Sequence, residues 1–442
     1  MHLKNKINFF ISKISSSIKK EKSYISYLQK KHINFFKKKG LNINYISNKD
    51  KLIGNTKDIN SIFNEENYTI INNDSKYAKK IKYDKIKKFF IEKKKNAFLL
   101  LFIDGKYNTT FFEEKNRYPI ILSNIISQKE EKIKKYYGKL SYSYDIFYSL
   151  NTIFSKDGGY INIPDNIILK NPIEILHIIT KNVKSRVMLN IRSLIVVGKN
   201  SDVQIIEHYK CMGKNSVFIN SVNEIYSLDK SKIKYYKIQD CLKKTSIIDN
   251  TFLKQKKDSK CTVYTFSYKG NIIKNNLNFY SCGERSYSYL YGISLLSEEQ
   301  YLNQCTLINH LFSNSYSYQL YKSILSEKSS VFFNGKIIVK KFISGVNAFQ
   351  KSNNILLSNS SRAYANPQLK IFSKNVKCSH GCTIGNIKEY ELFYLRSRGI
   401  SEKESKKMIL LSFLKKLLST IDNIELRTFF NKKVNKKIEK LL

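Results

Sequence analysis

Between residues 160 and 385 the chain is written in short runs of β-branched and aromatic residues broken by polar turns, and this pattern limits the fold more than any other feature. Gly198–Asp202, Gly213–Ser216, Asp229–Lys232 and Gly270–Asn271 are turn-forming clusters between such runs. They recur at intervals of roughly 15 residues or longer, with no strict sequence repeat. Strands this short and this regularly punctuated suit either a sandwich or a β-solenoid. A hydrophobic content of 42% with 13% aromatics supplies the core that either fold needs.

Both flanks read as helical. Phe10, Ile14 and Ile18, then Tyr24, Leu28 and Phe35, recur at roughly helical spacing within residues 1–95, and Gly40 marks a break. Near the other end, Glu389–Arg398 reads as a short helix stopped by Gly399, and Ser401 with Glu404 forms a capping box. Leu410, Phe413, Leu414, Leu417, Leu418 and Ile421 make one apolar stripe; Leu426, Phe430, Val434, Ile438 and Leu441 make a second. The stripes are expected to bury against each other and against the end of the β region.

The chemistry-bearing spacing is Cys378, His380 and Cys382, at i, i+2 and i+4. On a strand this puts two thiols and an imidazole on one face, the donor types that soft and borderline metals select. Residues i and i+2 of a strand stand roughly 6.5 Å apart, whereas two ligands of one tetrahedral ion lie only about 3.5–4 Å apart. Either Gly381 and Gly385 bend the backbone or further ligands come from elsewhere. A buried thiol with a hydrogen-bonded core histidine is the structural alternative.

The same stretch carries a resemblance. Pro367-Gln368-Leu369, Lys377-Cys378-Ser379-His380-Gly381, Thr383-Ile384-Gly385 and Leu392-Phe393-Tyr394-Leu395-Arg396-Ser397-Arg398-Gly399-Ile400 resemble the SufD branch of the SufB/SufD family, the non-ATPase scaffold subunits of the SUF iron–sulfur assembly machinery. The likeness extends back through 331–339, 221–239, 192–209 and 150–178, resumes at Leu99–Tyr107, and is weak at Asp50–Ile59, which lacks the tryptophan usual there. It departs at Lys374-Asn375, where the family usually carries two acids. The resemblance implies a mainly β fold: a right-handed parallel β-helix (β-solenoid) core over 96–385, an N-terminal mostly helical region over 1–95 and a C-terminal helical domain over 386–442. It also implies a scaffold role in which His380, Cys378 and, least, Cys382 serve iron or a nascent iron–sulfur cluster transiently at an interface with SufB, nothing being held stably by this chain alone. The helical domain, through Leu392, Phe393, Tyr394, Arg396 and Arg398, would dock the ATPase SufC. Arg396 and Arg398 are two of eight arginines in a chain that otherwise uses lysine, and their planar forks suit fixed acceptors. A SufB-type subunit, a solenoid enzyme such as a carbohydrate lyase, and a purely structural partner are the competing readings.

Other classes recede. The chain lacks G-x-x-x-x-G-K-S/T, G-x-S-x-G and H-E-x-x-H, so no enzyme activity is expected of it and energy would come from a partner. Asp157 before Gly158-Gly159, and Asn334-Gly335-Lys336, read as solenoid corner turns; His177, His208 and His310 read as structural histidines. A formal charge of +43 is spread along the chain as lysine without a nucleic-acid-binding motif, which argues for compositional drift rather than specific nucleic-acid binding. Apolar runs such as 97–103 and 408–411 fall short of a membrane span, and seven scattered cysteines read as reduced thiols of a cytoplasmic protein.

Overall fold

The computed structural model describes residues 3–18, 23–39, 68–70, 89–91, 98–108, 119–141, 145–155, 157–180, 186–212, 216–242 and 244–442. Helices α1 (Leu3–Ile18) and α2 (Tyr24–Lys39) precede strands β1 (Tyr68–Ile70), β2 (Phe98–Ile103), β3 (Lys106–Tyr107) and β4 (Ile121–Asn124). Helices α3 (Glu130–Tyr136) and α4 (Ile146–Phe154) then lead into β5 (Gly159–Ile163), β6 (Ile173–Ile179), β7 (Arg186–Val197) and β8 (Asp202–Cys211). The series continues as β9 (Val217–Ser227), β10 (Lys232–Asp240), β11 (Thr245–Gln255), β12 (Lys260–Lys269), β13 (Ile272–Ser281) and β14 (Tyr287–Leu296). It ends with β15 (Tyr301–His310), β16 (Tyr316–Leu325), β17 (Ser330–Val339), β18 (Val346–Leu356), β19 (Arg362–Ile371) and β20 (Val376–Gly385), followed by α5 (Glu389–Ser397), α6 (Glu402–Leu418) and α7 (Ile424–Leu441).

Successive strands alternate between two sheets. Odd strands run β19-β17-β15-β13-β11-β9-β7-β5, and even strands run β20-β18-β16-β14-β12-β10-β8-β6-β2, every pair parallel. One coil is therefore two strands, and about seven turns wind between residues 173 and 385. The partners Lys232↔Lys260, Lys260↔Tyr287 and Asn347↔Lys377 give advances of 28, 27 and 30 residues per coil. That is twice the turn interval in the sequence, and it selects the solenoid over the sandwich. Inward rows such as Ile205, Tyr235, Val263 and Leu290 fill the space between the sheets.

The corners explain the turn residues. Asn166, Asn200, Lys230, Asp258, Arg285, Asn314 and Phe342, one at each odd-to-even corner from β5–β6 to β17–β18, adopt positive φ, a region that Asn and Asp enter more easily than other non-glycine residues. Neighbouring corners are tied together: Asp229 Oδ1 accepts from Lys257 N (3.1 Å), and Arg285 grips Asp258 with two nitrogens, Nε at 2.6 Å and Nη2 at 3.1 Å. The expected turns at 198–202, 229–232 and 270–271 fall between strands; residues 213–215 lie outside the described residues.

Three expectations change. Asn334-Gly335-Lys336 is not a corner but the middle of β17, because a Cβ at Gly335 would run into the Gln350 amide reaching across from the other sheet. Segment 96–385 is not all solenoid, since α3 and α4 lie within it; Arg192, paired with Glu224 of β9 (2.8 Å), anchors α4 through bonds to Tyr148 OH (3.0 Å) and Thr152 (2.8 Å). The C-terminal helices leave the solenoid's end uncovered and fold back along the outer face of the even sheet. There Leu410, Leu414, Phe430, Val434 and Ile438 share one core with Tyr236, Tyr264, Phe266 and Ile293, and Phe430 stacks on Phe266 at 3.9 Å.

At the other end, Ile7, Ile11, Ile14, Ile18, Ile33 and Phe36 pack with α4 on the outer face of the odd sheet, against Met188, Phe218 and Ile248. Gly40 and the Asp50–Ile59 phrase lie outside the described residues. Among the described residues, no helix is long and apolar enough to cross a membrane.

Candidate functional site

Among the described residues, strand β20 is paired on one side only, in register with β18 from Val346↔Val376 to Ile355↔Gly385. The partners of Cys378, His380 and Cys382 are Ala348, Gln350 and Ser352, all buried on the inward face of the preceding coil. The three candidate ligands therefore occupy the inward row of the last coil. Cys378 is half-buried against the core, whereas His380 and Cys382 are exposed. The row that every earlier coil buries is here open, because among the described residues no further coil stacks on it.

The strand passes through Gly381 and Gly385 without a bulge, so the glycines do not bend it to gather the ligands. Nothing lies within 4 Å of where their Cβ atoms would be. Among the described residues no three His, Cys, Asp or Glu side chains converge on a point that could hold a metal ion. Donor types fit a soft or borderline metal, but their extended geometry does not bring the three onto one ion.

Both thiols favour the protonated form. Burial raises Cys378 and Cys382 above the ordinary thiol value, partly opposed by backbone hydrogen bonds at Ala348 and Ser352. The thiolate is the metal-binding form, so ligation has to displace a proton and strengthens as pH rises. Iodoacetamide labelling of both thiols is expected to be slow at pH 7 and to climb about tenfold per pH unit through pH 8.5. A rate already at its plateau by pH 8, read by peptide mass spectrometry, would contradict the burial argument.

Beneath His380 lies a residue that sequence reasoning missed. Gln350 is buried, and neither polar atom of its amide has a hydrogen-bond partner. In this column of the interior, apolar Leu290 gives way to Gln319, Gln350 and then His380, so the core turns polar as it approaches the open end. His177, His208 and His310 are buried on earlier coils. His208 bonds Glu174 at 2.6 Å, and His310 bonds Ser315 and Ser317 at 2.7 and 2.9 Å, as structural histidines should. His177 lies 3.4 Å from Glu207 between the rings of Phe102 and Tyr209.

The second exposed feature is α5, which buries none of its residues. Tyr390, Phe393 and Tyr394 are 65%, 74% and 59% exposed, an unusual outlay of aromatic surface on one short helix. Gly399 (φ +81°) ends it, and Ser401 caps α6 through the Glu404 N–H, as the sequence indicates. Between α5 and α6 opens a groove of about 1250 Å³ lined by Ile384, Ile387, Tyr390, Tyr394, Met408 and Phe413. Leu392 is half-buried on α5, facing a smaller neighbouring cleft. Arg396 reaches Glu402 at 3.8 Å and Arg398 lies 5.3 Å from the Tyr394 ring centre, so both forks have partners within the chain.

The chain is thus a two-sheet parallel solenoid with an open, thiol- and imidazole-bearing last coil and an aromatic helix beside it. The chain belongs to the SufBD family: residues 178–413 match the family described as "SUF system FeS cluster assembly, SufBD core domain", and residues 18–175 match the "SufBD protein N-terminal region". An iron–sulfur cluster assembly SufBD family protein of Synechocystis is 28% identical over 335 residues, 73% of this chain and 74% of that protein. The iron–sulfur cluster assembly protein SufD of Bacillus subtilis is 25% identical over 305 residues, covering 67% and 68%. The protein of the same name from Escherichia coli is 30% identical over 164 residues, covering 37% and 39%.

Proposed function

We propose that this chain is a SufD-type scaffold subunit of a cytoplasmic SUF complex. Its last coil pairs with SufB, and iron or a nascent iron–sulfur cluster is handled as cargo where the two solenoids meet. The observation that carries this reading is the open inward row of β20. Cys378, His380 and Cys382 supply half a ligand set, and the unpaired edges of β19 and β20 offer a second chain the backbone hydrogen bonds it needs. A second solenoid stacked there would bury the row and bring the missing donors.

The groove between α5 and α6, with its exposed aromatics, is the docking place for the SufC ATPase. The chain itself is not catalytic; nucleotide turnover in SufC shifts the paired solenoids between states and so governs access to the buried ligands. Co-expression with SufB and SufC tests this as a whole. A stable ternary complex carrying iron and sulfide after reconstitution is expected, with neither ATP hydrolysis nor a stable cluster in the isolated chain. Robust ATPase activity, or a cluster retained by the chain alone, would end the proposal.

A further inference from the structure

A second thiol site lies on the flank of the solenoid, away from the open end. Cys211 closes β8, and Cys241 follows the last residue of β10. These strands are paired in register from Lys232↔Asp202 to Ile238↔His208. The paired register ends there, just before β10 shifts register against β12 at Gln239/Asp240; the Lys210–Asp240 ion pair (3.8 Å) and the hydrogen bond between the Cys211 and Cys241 thiols hold the two ends side by side in adjoining coils. Adjacent strands lie about 4.8 Å apart, inside the roughly 4.4–6.8 Å Cα separation that a disulfide spans.

The surroundings of the two sulfurs differ. Cys241 is buried; Cys211 is half-buried, with Thr245 Oγ1 4.0 Å from its sulfur. Hydrogen bonding from the Cys241 thiol outweighs burial and, helped by the Leu242 N–H, the Thr245 hydroxyl and the Lys210 ammonium, holds Cys211 below the ordinary thiol value. The same bond and its own burial hold Cys241 well above it. Elsewhere burial dominates: it pushes Cys261 up to about 12 and raises Cys282, Cys378 and Cys382. One thiol is thus set up to react and its neighbour to stay protonated beside it, the arrangement of an attacking and a resolving cysteine.

We propose that Cys211 and Cys241 form a peroxide-reactive dithiol that closes to an intramolecular disulfide. The Cys211 thiolate attacks one oxygen of hydrogen peroxide, the O–O bond breaks, and sulfenic acid and hydroxide form. The Cys241 thiol then attacks the Cys211 sulfur, the S–O bond breaks, and water leaves with the thiol proton. Two thiols lose two electrons in all and one peroxide gains them. The bond joins two consecutive coils next to the point where Lys433 of α7 holds Asp240 at 2.9 Å.

The test uses the full, reduced chain treated with hydrogen peroxide at pH 7, alkylated and digested with trypsin without reduction. Peptides 211–214 and 238–243 are expected as a linked pair before Cys282 or Cys382 is oxidised. Cys241→Ser should strand Cys211 as a sulfenic acid that dimedone traps, and Cys211→Ser should leave Cys241 reduced. Alkylation kinetics of the untreated wild type, which need no variant to fold, should show Cys211 reacting about tenfold faster than the more exposed Cys382. Equal rates, or two free thiols at 211 and 241 when Cys382 is already oxidised, would overturn the proposal.

Discussion

His380→Ala is expected to leave the solenoid and its pairing with SufB intact while the iron and sulfide recovered per reconstituted complex fall at least tenfold. The two halves of this result have separate physical origins. His380 is exposed on the open row of the last coil, and exposed substitutions away from special features move stability by only about 0.5 kcal/mol. A ligand contributes far more to metal retention: losing even an outer-shell partner of a metal site typically costs 10- to 100-fold in affinity. Thermal unfolding and co-purification therefore report the first half, and metal and sulfide analysis the second. Cys382→Ala should cost less, and Cys378→Ala mixes ligand loss with packing because Cys378 also touches the core. Wild-type cluster yield from the His380→Ala complex would reduce the imidazole to a surface residue.

The features legible in the amino-acid sequence are local in origin. Ser401 with Glu404, and Gly399 at positive φ, follow from the capping needs of one helix end. The shared face of Cys378, His380 and Cys382 follows from the two-residue strand period alone. Where the fold departs from the sequence pattern, distant residues decide. Asn334-Gly335 is a turn signal on its own, yet Gly335 sits mid-strand to make room for Gln350 on the opposite sheet. The leucine stripes of α6 and α7 declare two helices, but not that Tyr236, Phe266 and Tyr268 offer them the face of a sheet instead of the end of the solenoid. That the ligand row stands open depends on which coil is last, and a coil of about 30 residues without a sequence repeat leaves no short-range mark of it.

The same packing decides which variants can test the proposed SufC surface. Truncation after Gly385 would strip the cover from an aromatic sheet face, so lost binding would report unfolding rather than lost docking. The paired arginines are also a weak lever: Arg396 makes an exposed ion pair of a kind worth about 0–1 kcal/mol, and Arg398 packs on Tyr394 in its own helix. Phe393 and Tyr390 are the better targets because their rings are exposed and α5 buries nothing. Substitution by aspartate at either should leave thermal stability nearly unchanged. If these rings fill pockets on SufC, each behaves as an aromatic hot spot worth about 2–4 kcal/mol. At 1.4 kcal/mol per decade, that weakens SufC binding roughly 30- to 700-fold. Pairing with SufB, which the proposed function assigns to the edges of β19 and β20, should persist in the same preparation. A Tyr390→Asp, Phe393→Asp double variant that captures SufC at wild-type affinity would move the ATPase off this helix and leave the groove beside it without an assigned occupant.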